Sequence, residues 1–352
     1  MNRFDYIRPA SVPEAVAAAA IPGSAYLAAG TNLLDLMKGG AARPERVVDI
    51  TRLPGLDRIE WLPDGGVRFG ALVRNSDLAY DTRFTQTFPS VAEALLSGAS
   101  AQLRNAATVG GNLIQRTRCA YFYDLASACN RRAPGSGCDA RAGENRLHAV
   151  LGWSEHCIAT HPSDFCVPLV ALDAVVEVEG PHGARDIPID ALHALPGTTP
   201  ERETALAPGD LIVAVRLSAN AAAFARNARY LKLRERTSYA FAIVSAAAAL
   251  EIENGAIREA RIALGGVAAK PWRAREAEAA LKGEHPTATA FARAAELALA
   301  QARPSGDNAF KIELARRIVV RALSLALEGT PAVMPALPAS PFSTIPGAQH
   351  VA

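Results

Sequence analysis

Tyr26-Leu27-Ala28-Ala29-Gly30-Thr31-Asn32-Leu33-Leu34, continued by Asp35-Leu36-Met37-Lys38-Gly39-Gly40, spells a strand that breaks into a helix. Residues 25–28 read as the strand, Gly30-Thr31-Asn32 as the break, and 33–38 as a short helix stopped by paired glycines. At such a junction small residues let backbone N–H groups approach a pyrophosphate, and Thr31 and Asn32 can donate or cap. A second segment of this kind is Thr108-Val109-Gly110-Gly111-Asn112, where paired glycines permit positive φ and close backbone approach. Neither segment matches the dinucleotide fingerprint or the P-loop, and either one alone is more often an ordinary turn.

Outward from these turns the chain alternates strands and helices. Residues 3–8 alternate like a strand, and Ser11 with Glu14 forms a capping-box pattern before a helix ending near Gly23. Residues 46–51 form a strand, 56–73 a hairpin around Asp64-Gly65-Gly66, and 89–98 a helix. DFCVPLVALDA (164–174) reads as a helix, followed by strands at AVVEVEG, RDIPI and LIVAVRL. From about 225 the composition shifts to strands RYLKLR, SAAAALEIE and AIREARIALGG, with an Asn254-Gly255 hairpin turn. Two alanine-rich helices close the ordered part, near 287–302 and 309–328.

The 352 residues are half apolar and carry a net charge of +2, which leaves no concentrated basic face for nucleic acid or a membrane surface. No apolar run is long enough to cross a bilayer, so no membrane insertion is expected. The first twenty residues, with Pro13 and Glu14 interrupting the alanines, do not read as a signal peptide. The expected compartment is the cytoplasm, unless a partner carries the chain elsewhere.

All five cysteines fall between 119 and 166, in a window of Gly, Pro, Arg and His that has no apolar core pattern. Such a loop needs an internal staple. Disulfides leave one cysteine over. Zinc prefers closer pairs than the gaps of nine, eight, eighteen and eight residues seen here, although His148, His156 and His161 could complete a zinc site. An iron–sulfur cluster needs four thiolates but tolerates irregular spacing. Cys119, Cys129, Cys138 and Cys157 are the candidate ligands, because Cys166 opens an apolar run where cysteine behaves as a small hydrophobe. The arginines around them (116, 118, 131, 132, 141 and 146) read as a solvated basic loop, and His182 and His193 as surface residues.

AAGTNLLDLMK, then TVGGN, then Ser163-Asp164 together resemble the FAD-binding subunit of the xanthine dehydrogenase, or molybdenum hydroxylase, family over nearly the whole chain. The resemblance implies an α+β fold: a vanillyl-alcohol-oxidase-type FAD-binding domain in two lobes (1–57 and 58–222) and a small C-terminal α/β domain (223–330) like that of CO dehydrogenase flavoproteins. Residues 331–352 would be an extended tail. FAD would lie on 26–34 and on Thr108, Gly110, Gly111 and Asn112, with Ser163, Asp164, Ile212 and Lys232 close by. Lys232 and Tyr239 are the flavin-adjacent candidates. Their plain alternatives are an exposed strand lysine and a packed aromatic, and for Ile212 a core position.

One departure is informative. Asn112 and Ser163 stand fifty-one positions apart, and the inserted residues, about 115–160, carry the first four cysteines. This resembles flavoprotein subunits with an additional 4Fe–4S cluster, and most of all the FAD subunit of periplasmic aldehyde oxidoreductases. The implied role is electron transfer within a heterotrimer. A molybdenum-cofactor-binding large subunit oxidises the aldehyde, and a 2Fe–2S small subunit passes electrons to FAD and an external acceptor. Export would ride on a partner's signal to the periplasm. The alternatives are the FAD subunit of a xanthine, nicotinate or aromatic acyl-CoA hydroxylase or reductase, and a zinc-stapled, non-enzymatic interaction protein.

Overall fold

A computed structural model describes residues 1–334, so most of the expected tail, 331–352, lies outside the described residues. The first sheet is parallel in the order β1-β3-β2, with β1 Asp5–Ile7, β2 Ser24–Leu27 and β3 Arg46–Asp49. Helix Val12–Ala19 makes the crossover and buries Ala15, Val16 and Ala19. Its start is capped by Ser11, which accepts from the Glu14 amide at 3.4 Å, while the Glu14 carboxylate reaches back to the Ala10 amide at 2.9 Å. β2 then turns at Gly30, φ +76°, into helix Leu33–Gly39, which ends on left-handed Gly40, φ +78°.

The second sheet is antiparallel in the order β4-β5-β8-β6-β7. Its strands are β4 Ile59–Trp61, β5 Val67–Gly70, β6 Val175–Gly180, β7 Gly183–Pro188 and β8 Leu211–Leu217. Helix Pro89–Ser97 is buried along its whole length beneath Phe69, Phe84, Phe88 and Phe165. The sequence reading passed over helices Asn75–Tyr80, Thr82–Thr87, Ala101–Ala106 and Arg275–Leu281. Each spans fewer than two turns, too short for a full apolar period.

The third sheet, order β12-β11-β10-β9, holds β9 Ala228–Leu233, β10 Val244–Glu253, β11 Ala256–Gly265 and β12 Trp272–Arg273. Asn254 and Gly255 both take positive φ, +51° and +78°, as a two-residue hairpin turn requires. The alanine run of β10 is buried on both faces. Ala247 and Ala249 join the core under the second sheet, whereas Ala246, Ala248 and Leu250 pack against helices Ala288–Ala298 and Phe310–Glu328. A two-sided strand does not alternate apolar with polar, and small side chains bring helix Cys166–Ala171 close on one side. The seam is closed by a buried ion pair: Glu93 accepts from Arg229 at 2.9 Å and from the Tyr230 amide at 2.7 Å. Among the described residues no helix is long and apolar enough to cross a membrane.

Candidate functional site

Where the two lobes, the inserted loop and the 235–243 loop meet, a cleft of about 710 Å³ opens, within the range of small-molecule sites. Thr31 and Asn32 supply one wall, Gly111 and Asn112 another, and Asp164 and Tyr239 two more. The remaining candidates at 26–30, 33 and 34, with Thr108, Gly110, Ser163, Lys232 and Ile212, are not on its surface. Several of these act through wall residues. Ser163 Oγ donates to Asn112 Oδ1 at 2.8 Å. Thr108 caps the helix Val109–Leu113 that carries Gly111 and Asn112. Ile212 is buried in the core, at 5 % exposure, beside Val178.

The paired glycines do not adopt the positive φ expected of them, since both lie inside that short helix. Close approach is the operative reason at Gly110. Its amide donates to the Ala71 carbonyl at 2.9 Å, and a Cβ there would stand 2.8 Å from the Ala71 Cβ. At Gly111 a Cβ would meet only Thr108 Oγ1, at 3.3 Å, which leaves the cleft-facing backbone bare.

Lys232 is not an exposed strand residue. Its side chain is 3 % exposed, with Nζ 2.8 Å from Asp164 Oδ2 and 3.2 Å from the Ser97 carbonyl. Asp164 Oδ1 also accepts from the Tyr230 hydroxyl at 2.5 Å. A carboxylate on the cleft wall is thus neutralised and aimed from behind. Tyr239 is 56 % exposed, not packed, and holds φ +51°, a conformation costly for a bulky side chain. Arg236 donates to its carbonyl and keeps the loop in place.

A direct test of whether this cleft suits a polar ligand is its own unsatisfied groups. Asn32 Nδ2, Asn75 Oδ1, Arg104 Nε and His148 Nδ1 are buried without a hydrogen-bond partner, and all four residues line the cleft. Buried polar atoms are rarely left unpaired, so donors and acceptors here await a ligand rich in both. A dinucleotide with a flavin ring fits that demand. The residues that would hold it are Thr31, Asn32, Asn75, Arg104, Gly111 and Asn112.

Beside the cleft, Cys119, Cys129, Cys138 and Cys157 line one small hollow, with room for about 10 Å³ against the 710 Å³ of the cleft. All are free thiols. Cys129 and Cys138 face each other across an isolated antiparallel bridge. Backbone N–H groups point at the sulfurs: those of Phe122 and Tyr121 at Cys119, those of Ile158 and Arg141 at Cys138, and that of Ala159 at Cys157, 3.5 Å away. Burial pushes the Cys119 thiol up to about 11, against these amides, and raises Cys138 as well. Among the described residues, no three of the four sulfurs lie within 4.8 Å of one another. Four thiols with backbone amides directed at their sulfurs are a donor set that would suit an iron–sulfur cluster.

Three of the surrounding arginines are not solvated as expected, whereas Arg146 is exposed and pairs with exposed Glu235. Arg131 is 7 % exposed; it donates to Glu203 at 2.8 Å and bonds the Cys157 sulfur. Arg116 shares Glu203, and Arg132 donates to the carbonyls of Tyr121, Phe122 and Ser127.

Cys166 stands apart, in a buried trio with His161 and His193. His193, expected on the surface, is 5 % exposed. Its Nε2 lies 2.7 Å from the Leu113 carbonyl, which also receives His161 Nε2 at 3.3 Å and Cys166 Sγ at 3.6 Å. Burial lowers His193 to about 4 and His161 well below its usual range. These neutral rings fasten the last turn of the helix that bears Gly111 and Asn112. Sequence reasoning named His148 only as a possible zinc ligand, and it missed Asn308 and Lys311. His148 Nε2 sits 3.2 Å from Cys119 Sγ, and Lys311 Nζ donates to the carbonyls of Leu147, His148 and Gly266 at 2.7–2.8 Å. Only the proximity of His148 to the cysteine window was a sequence signal.

Residues 2–218 match the family described as the FAD binding domain in molybdopterin dehydrogenase, and 229–326 match the CO dehydrogenase flavoprotein C-terminal domain. The chain is 47% identical over 328 residues to the aldehyde oxidoreductase FAD-binding subunit PaoB of Escherichia coli (strain K12), covering 93% of this chain and 99% of that one. It is 30% identical over 333 residues to the carbon monoxide dehydrogenase medium chain of Hydrogenophaga pseudoflava, covering 92% and 97%. A solved carbon monoxide dehydrogenase from Hydrogenophaga pseudoflava superposes with a TM-score of 0.73 at 30% identity, over 93% of this chain and 98% of that one.

Proposed function

The chain belongs to the FAD-binding subunits of the molybdenum hydroxylase family, and from that premise we propose that it carries FAD and a 4Fe–4S cluster in a heterotrimeric, molybdenum-dependent aldehyde oxidoreductase. Its part is to pass electrons from the partners' molybdenum and 2Fe–2S centres to an external acceptor. Flavin supplies the exchange between one- and two-electron chemistry when bound. The chain's own residues do the rest. Asn32, Asn75 and Arg104 bring unsatisfied donors and acceptors to the cleft. Asp164, paired with Lys232 and held by Tyr230, places a fixed hydrogen-bond acceptor on its wall. Tyr239 covers its mouth from an exposed loop.

The aldehyde substrate is supported by the likeness to PaoB across nearly the full length of both chains. One observation carries the cluster reading: four free thiols from three separate stretches of the inserted loop converge on one hollow, with backbone amides directed at their sulfurs. The proposed address is the periplasm, reached by co-export with a signal-bearing partner. That reading is supported by the loop's resemblance to periplasmic aldehyde oxidoreductases, and cell fractionation with a cytoplasmic marker tests it.

The deciding experiment is an anaerobic absorption spectrum with iron and acid-labile sulfide assays on wild type, Cys119→Ser and Cys166→Ser. Flavin bands with about four iron per FAD in wild type and in Cys166→Ser, and iron lost from Cys119→Ser, are expected. Flavin without iron in anaerobically prepared wild type refutes the cluster. Iron that depends on Cys166 refutes the ligand set.

A further inference from the structure

We propose that His148 is a positioning residue for the iron–sulfur centre, donating a hydrogen bond from Nε2 to the Cys119 sulfur and thereby raising the cluster's reduction potential. The inference rests on the cluster reading above.

The geometry leaves the ring one arrangement. His148 is 8 % exposed, and Nε2 stands 3.2 Å from Sγ. Once Cys119 ligates iron its thiol proton is gone, and a thiolate can only accept. The proton of the neutral imidazole must then sit on Nε2, which leaves Nδ1, without a protein partner, as an acceptor facing the cleft.

The backbone keeps the ring in place. The His148 amide donates to the Asn145 carbonyl at 2.9 Å. Its own carbonyl receives Lys311 Nζ at 2.8 Å and Asn308 Nδ2 at 3.1 Å. The next amide, Ala149, pairs with the Ile158 carbonyl at 2.8 Å, one residue beyond Cys157. Such second-sphere partners orient ligands and tune the metal they serve.

Location adds the functional side. Of the four hollow-lining cysteines only Cys119 also lines the large cleft, and His148 lines that cleft too. Cys119 and the His148 ring therefore stand in the partition between the two cofactor spaces. When one electron enters the cluster no bond breaks and the ring keeps its proton. The added negative charge is felt at the sulfurs, where an N–H donor stabilises it more than the oxidised state.

The test uses the full chain, loaded with FAD and cluster, as wild type, His148→Phe and His148→Gln. Iron and sulfide are counted first, and then the cluster is titrated with dithionite and followed by electron paramagnetic resonance. His148→Phe, with no donor, should shift the reduced-to-oxidised ratio at fixed potential about tenfold toward oxidised, or about 59 mV more negative for one electron. His148→Gln, which restores a donor, should recover most of that shift. Wild type carrying ¹⁵N-histidine should in addition show weak nitrogen coupling to the reduced cluster, a readout that needs no variant. Equal shifts in both variants, no shift with iron intact, or no coupling in wild type overturns the proposal. Wild type without iron refutes the cluster reading itself, a result distinguishable from all three.

Discussion

Removing the ammonium of Lys232 should destabilise the protein through the carboxylate it leaves behind. In Lys232→Met the Asp164 carboxylate, 8 % exposed, keeps the Tyr230 hydroxyl at 2.5 Å but loses a cation at 2.8 Å. Breaking a buried pair by deleting one partner costs about 3–5 kcal/mol. The retained hydroxyl, and water reaching Asp164 from the cleft, bring the expected loss to about 2–3 kcal/mol. Asp164→Asn removes the charge instead and should cost about 1–2 kcal/mol, because Lys232 keeps only the Ser97 carbonyl. The double variant leaves neither charge uncompensated, so its loss should fall short of the sum by about 2 kcal/mol. Urea unfolding at fixed free FAD measures all four proteins, and equal slopes confirm that stability alone has changed. Strict additivity would show that Asp164 and Lys232 do not act as a pair, and the reasoning about the cleft wall would fail with it.

Three further outcomes follow from the geometry. Gly110→Ala drives a Cβ to 2.8 Å from the Ala71 Cβ and should cost about 1–3 kcal/mol with loss of FAD, whereas Gly111→Ala should leave stability within about 0.5 kcal/mol yet weaken FAD binding. Thermal melts and FAD content after gel filtration separate the two. His193 is held near 4 by burial, below its unfolded value near 6.5, so its contribution is whole above about 6.5 and is lost as pH falls through about 4. The shift amounts to about 3 kcal/mol, and His193→Asn should flatten the acid limb of the stability profile by that amount. Glu203→Gln strips buried Arg131 of its carboxylate, so it should cost about 3 kcal/mol and hasten iron release to a chelator, followed by absorbance.

The cysteine cluster was legible in the sequence from residue type, whereas the cleft residues were legible only through the family resemblance. Four thiols in a polar loop have few uses, and a strand broken by Gly-Thr-Asn puts small donors where a ligand can approach. The structure brings Thr31, Asn32, Gly111, Asn112 and Asp164 to one cleft. What the sequence hid was pairing at a distance. Lys311 sits in the first turn of an amphipathic helix and looks like a surface lysine, yet it is fully buried on three carbonyls. Glu203 lies in a polar loop, and nothing local announces that it neutralises Arg131. His193 was misread for the same reason, since its partner is a carbonyl 80 positions earlier. The reason given for the glycine pair was wrong, because steric room and left-handed backbone are separate reasons for choosing glycine.

The grip of Asn308 and Lys311 on the carbonyls of residues 147–149 has a consequence for biogenesis. The clamp spans about 160 positions of chain. A ribosome that has finished the cysteine loop has yet to make the helix that holds its exit in place. On the nascent chain the thiols therefore exist before their frame does. Metal delivered early would meet four loosely tethered cysteines, and metal delivered after release would meet a seated pocket. On the proposed cluster reading, cofactor loading would follow closure of this clamp, and truncation before Asn308 should yield protein that binds iron poorly although all four cysteines are present.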